Sequence, residues 1–77
     1  MGTDTVLEAI RTLAETAQAE SRGDSGYLNE ARNIIERYLK ASPSDAERRS
    51  LLRELTRRRA GQPSVGRTIY DAAIRGL

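Results

Sequence analysis

Cysteine, histidine, phenylalanine and tryptophan are all absent from this 77-residue chain. Without cysteine there is no disulfide framework and no thiolate metal site. Without histidine the chain lacks the commonest general base and the commonest transition-metal ligand. Proline occurs twice and lysine once, against twelve arginines. A GC-rich bacterial or phage genome produces that imbalance without any selection for chemistry. No apolar run approaches the roughly 20 residues that span a bilayer, and no basic-then-apolar leader opens the chain. No glycine-rich phosphate loop occurs, and the hydroxyl side chains have no histidine or buried lysine to activate them. These absences predict a cytosolic, non-catalytic protein with no cofactor, no bound metal and no membrane partner.

The large apolar side chains are eight Leu, five Ile, two Val, three Tyr and Met1, with ten Ala filling in between. Alanine allows close helix packing but hides little area, so such a core supplies only about 3–5 kcal/mol. A partner, or self-association, is then thermodynamically useful. Charge is divided unevenly along the chain. Residues 1–40 carry five basic and seven acidic side chains, whereas residues 41–77 carry eight basic and four acidic, giving −2 and +4. Much of the excess is Arg48, Arg49, Arg53, Arg57, Arg58 and Arg59, a run suited to meeting an acidic protein surface or a phosphate backbone.

Start and stop signals predict four helices at about 5–20, 26–40, 44–60 and 64–75 and no strand: an all-α, compact domain of antiparallel helical hairpins. Thr5-Val-Leu-Glu8 fits a capping box opening the first helix, which carries Val6, Ile10, Leu13, Ala14 and Ala17 on one face. Asp24 or Ser25 caps the second, whose wide apolar arc of Tyr27, Leu28, Ala31, Ile34, Ile35, Tyr38 and Leu39 places it at the centre. Pro43 suits a first helical turn, and Ser44-x-x-Glu47 offers a second capping box. The third helix buries Leu51, Leu52 and Leu55, and Gly61 is placed to end it. Pro63 or Ser64 opens the fourth. There Val65, Ile69, Ala72 and Ala73 form one face, while Tyr70, Ile74 and Leu77 widen the arc to about 180°. That surplus marks Tyr70, Ile74 and Leu77 as an apolar contact for a partner or a second copy, unless the helix end frays.

On the third helix Arg49, Arg53 and Arg57 recur at steps of four beside the leucines. Arg58 lies on the other flank, one turn after Glu54, and Asp45 can pair with Arg49. Arg57, Arg58 and Arg59 also complement the helix dipole. The stripe is either a solvated face with ordinary helix-end chemistry or a docking surface formed by Arg49, Arg53, Arg57 and Arg58. A protein partner fits it better than nucleic acid, because none of the three tyrosines lies in the stripe to stack on bases.

Three resemblances bear on function. Ala31, Ile35, Tyr38 and Pro43 stand at the spacing of the second helix of a tetratricopeptide repeat. A step of about 34 residues reaches Val65, Ile69 and Ala72. The likeness covers residues 31–75 and implies stacked helical hairpins that bind a peptide or protein helix. Residues 65–77 resemble the recognition helix of a helix-turn-helix domain, with Arg67 and Thr68 near its start, which implies a DNA- or RNA-binding regulator. The preceding helix and the linker Ala60–Ser64 are longer than that family's pattern. Asp24-Ser25 followed by Glu30-Ala-Arg-Asn33 is similar to polyketide-type acyl carrier proteins, which would place a phosphopantetheine on Ser25. Gly26 stands where that family has an apolar residue, and carriers are typically acidic. The sequence as a whole points to a small protein-interaction module acting as adaptor, inhibitor or assembly domain.

Overall fold

Four helices and no strand make up the residues described by the computed structural model, 2–21 and 24–77. They are α1 (Thr3–Ala19), α2 (Ser25–Lys40), α3 (Asp45–Arg59) and α4 (Ser64–Gly76). Each lies within about two residues of its expected bounds, the ordinary scatter of helix ends. The predicted break at 21–26 contains Arg22 and Gly23, which lie outside the described residues.

The helix starts are made in four different ways. α1 begins at Thr3 behind Gly2, which provides no side-chain cap. Thr5 is therefore already inside the helix, and the expected Thr5–Glu8 capping box does not form. Asp4 in the first turn supplies the negative charge that the helix dipole favours there. At α2 the cap is Asp24, whose carboxylate accepts from Tyr27 N at 3.4 Å. Ser25 is the exposed first helical residue. At α3 both arms of the Ser44–Glu47 box are present: Glu47 N donates to Ser44 Oγ at 3.1 Å, and Ser44 N donates to Glu47 Oε1 at 3.3 Å. Pro43 sits just before that cap rather than in the first turn. α4 follows Pro63, which cannot cap through its side chain. Its amides are served from across the molecule: Gln18 Oε1 accepts from Val65 N at 3.1 Å and from Gly66 N at 3.2 Å.

α3 ends at Arg59, as expected, and Gly61 N donates to the Arg58 carbonyl at 3.2 Å. Gly61 does not take the left-handed conformation, whereas Ser21 and Ser42 do, each at φ 54°. Ser42 N donates to the Leu39 carbonyl at 3.0 Å and Ser21 N to the Gln18 carbonyl at 3.1 Å, closing α2 and α1 respectively.

α4 is the central helix, packing against α1, α2 and α3, while the backbones of α2 and α3 stay more than 8 Å apart at every Cα pair. The expectation that α2 is central is therefore corrected. The broad apolar arc of α4 is needed because three neighbours cover it. Tyr70 and Ile69 are buried within it, together with Ala72 and Ala73. The small residues let neighbours come close: a Cβ added at Gly76 would lie 3.1 Å from Ile35 Cγ2. Val6 and Ile10 from α1, Ile35 and Tyr38 from α2, and Leu51 and Leu55 from α3 complete the fully buried core. Leu52 is not part of it. α3 rests mainly on α4, so only the narrow Leu51–Leu55 ridge is covered, and Leu52 remains 39% exposed.

Candidate protein-interaction surface

α3 carries six arginines, and the structure sorts them by what each guanidinium touches. Arg48 pairs with Asp45 one turn back. Arg57 donates to Glu54 through Nε at 3.1 Å, and Arg58 donates to the same carboxylate through Nε at 3.0 Å. Arg59 reaches Asp71 and ties α3 to α4. Arg49 and Arg53 are exposed and have no ion pair among the described residues. The expected Asp45–Arg49 pair is thus replaced by Asp45–Arg48, which leaves Arg49 outside the helix's own network.

The paired groups titrate accordingly. The hydrogen bonds from Arg57 and then Arg58 hold the Glu54 carboxyl at about 2. Burial pushes the Tyr70 phenol up, and the adjacent Arg58 guanidinium acts in the opposite direction. Arg58 is half-buried between Glu54 and Tyr70, so it braces the α3–α4 contact. The expected Arg58–Glu54 pair is present, on the flank away from the Arg49–Arg53–Arg57 stripe. Arg57 is exposed but already shares Glu54.

The apolar surface expected at Tyr70, Ile74 and Leu77 is also redistributed. Tyr70 is 1% exposed and belongs to the core, because α4 is enclosed on all the sides that its arc faces. Ile74 and Leu77 are half-buried and pack against the core edge. Leu77 joins Asp45, Arg48, Arg49 and Leu52 around a shallow depression of about 310 Å³. One end of the arginine stripe and one end of the apolar arc therefore meet, with Leu52 between them. No sequence signal separated Leu52 from its buried neighbours, since its spacing suits the apolar face as well as theirs.

A larger concavity lies between α1 and α2, about 750 Å³ in volume. Ala9, Leu13 and Ile34 line its floor, and Asp4, Glu8, Glu30 and Arg37 are spaced around its rim. It is not legible in the sequence, because it requires the pairing of two particular helices. Among the described residues no group of three or more carboxylates is gathered to hold a metal ion, and no helix is long and apolar enough to cross a membrane. Comparison with known proteins finds no matching family model, no similar curated protein and no similar solved structure.

Proposed function

We propose that the chain is a small non-catalytic protein-interaction module whose α3 outer face docks on an acidic protein surface. The observation that carries this reading is the pairing pattern on α3. Four arginines are bound up with Asp45, Glu54 and Asp71, whereas Arg49 and Arg53 form a row beside the exposed Leu52 with no ion pair among the described residues. An apolar side chain beside two guanidiniums that can fork onto carboxylates suits a protein interface. An adaptor, an inhibitor and an assembly domain all work through such a face.

The alternative is a nucleic-acid-binding regulator of helix-turn-helix type. It would use the outer face of α4, whose other sides are packed by the three remaining helices. Arg67 also folds back to donate to the Gln62 carbonyl at 3.3 Å. The charge pattern therefore favours a protein.

The test compares the native protein with an Arg49→Glu/Arg53→Glu variant in affinity capture from the source cells, alongside binding to arbitrary duplex DNA. The expected outcome is a specific protein recovered only with the native chain, and negligible DNA binding at physiological salt. Micromolar DNA binding whose log–log salt slope flattens by about two units in the variant would instead establish a nucleic-acid-binding role for the same two arginines.

A further inference from the structure

We infer that the α1–α2 groove receives the outer face of α3 from a second copy of this chain, joining copies head to tail. This rests on the reading of α3 as a protein-binding face and names its partner. The two surfaces are complementary in sign. Asp4, Glu8 and Glu30 outnumber Arg37 around the groove, and the face presents Arg49 and Arg53 without acid partners among the described residues.

They also match in spacing. Asp4 and Glu8 stand one turn apart on α1, as Arg49 and Arg53 do on α3, so each pair spans about 6 Å of helix. Like charges four residues apart repel along a helix, and each pair would be relieved by the other. Within the chain the groove acids are only loosely answered: Arg11–Glu8 and Arg37–Glu30 are exposed contacts at 3.6 Å, and Asp4 has no ion pair among the described residues. The apolar parts correspond as well. Leu52 lies to one side of the Arg49–Arg53 row, and the groove floor of Ala9, Leu13 and Ile34 lies beside the acidic rim. Leu52 can then meet the apolar floor while Arg49 and Arg53 meet the acidic rim.

No α3 residue lines the groove, so one copy can offer its face and its groove at once. The contact is heterologous, and copies add end to end or close into a ring. It is also small, so association is weak and is read at high protein concentration.

The test is sedimentation velocity over a series from micromolar to millimolar chain. Two variants are compared, Asp4→Arg/Glu8→Arg in the groove and Arg49→Glu/Arg53→Glu on the face. All four residues are exposed, so neither variant removes core packing. The native protein should gain mass with concentration and lose it as salt rises. Each variant alone should remain monomeric, because its groove and its face then carry the same sign. An equimolar mixture should associate again, since each variant's groove now opposes the other's face in charge.

If a variant misfolds by circular dichroism, amide shifts of the native protein on dilution decide. Changes confined to Asp4–Thr16, Glu30–Arg37 and Arg49–Thr56 support the contact, and changes elsewhere overturn it. A native protein that stays monomeric throughout, variants that associate normally, or a mixture that fails to associate would each overturn it too. Recovery of a foreign protein through Arg49 and Arg53 alongside a strictly monomeric native chain would overturn the second-copy inference alone. The α3 reading would survive that result.

Discussion

The Tyr38 hydroxyl is buried with no hydrogen-bond partner among the described residues. An unsatisfied polar group of this kind costs about 1–3 kcal/mol. Phenylalanine keeps the ring and removes the group, so Tyr38→Phe should stabilise the fold by about 1 kcal/mol in urea titration. A clear loss of stability would show that the hydroxyl makes a contact that matters. Gln18 is the opposite case, a polar side chain with two specific partners at the start of α4. Gln18→Ala should cost about 1 kcal/mol, the usual loss for a removed cap. Gln18→Glu keeps the acceptor and adds a negative charge near the helix N-terminus, so it should recover that loss in the same titration. The need for a cap was legible in the sequence, because Pro63 and Ser64 mark where a helix opens. The residue that supplies the cap was not, since position 18 is brought to position 65 only by the packing of α1 on α4.

At the scale of the element, α3 shows what local patterning can and cannot settle. The Ser44–Glu47 box was readable because both partners lie within one turn. The Arg58–Glu54 pair was readable for the same reason. Burial of Leu52 was misjudged because the leucines fit a wide apolar stripe, and only the separation of α2 from α3 narrows it. At the helix ends, glycine at 61 suggested a left-handed residue there, but Ser42 and Ser21 are the ones that adopt it.

The Glu54 carboxyl gives this helix a pH signature. Its value in the fold is about 2, below the ordinary 4.5, because Arg57 and Arg58 are hydrogen-bonded to it. A depressed carboxylate contributes stability that is full above about pH 4.5 and is lost as pH falls toward about 2. Glu54→Gln removes that contribution. Acid titration of thermal stability should therefore be flatter for the variant than for the native chain across this window. Parallel curves would mean that the arginines do not engage Glu54 in solution.

For the whole molecule, the number, bounds and polarity of the helices follow from periodicity and punctuation, whereas their arrangement depends on contacts distant in sequence. α4 is central because its apolar arc is matched by three neighbours and because Gly76 lets α2 approach. The same arrangement moves Tyr70 from the surface to the core and leaves α3 with most of its circumference free. Among the described residues, Leu52 is the exposed large apolar side chain, and beside it Arg49 and Arg53 have no ion pair. The measurement that tests this most directly is crosslinking in cells through a photoreactive side chain at Leu52, with the same group at exposed Ser64 as the control. The account predicts a discrete protein adduct from position 52, of a second copy or of another chain, that disappears when Arg49 and Arg53 are reversed to Glu. Nucleic-acid adducts at position 52, or no adduct beyond that seen at position 64, would contradict it.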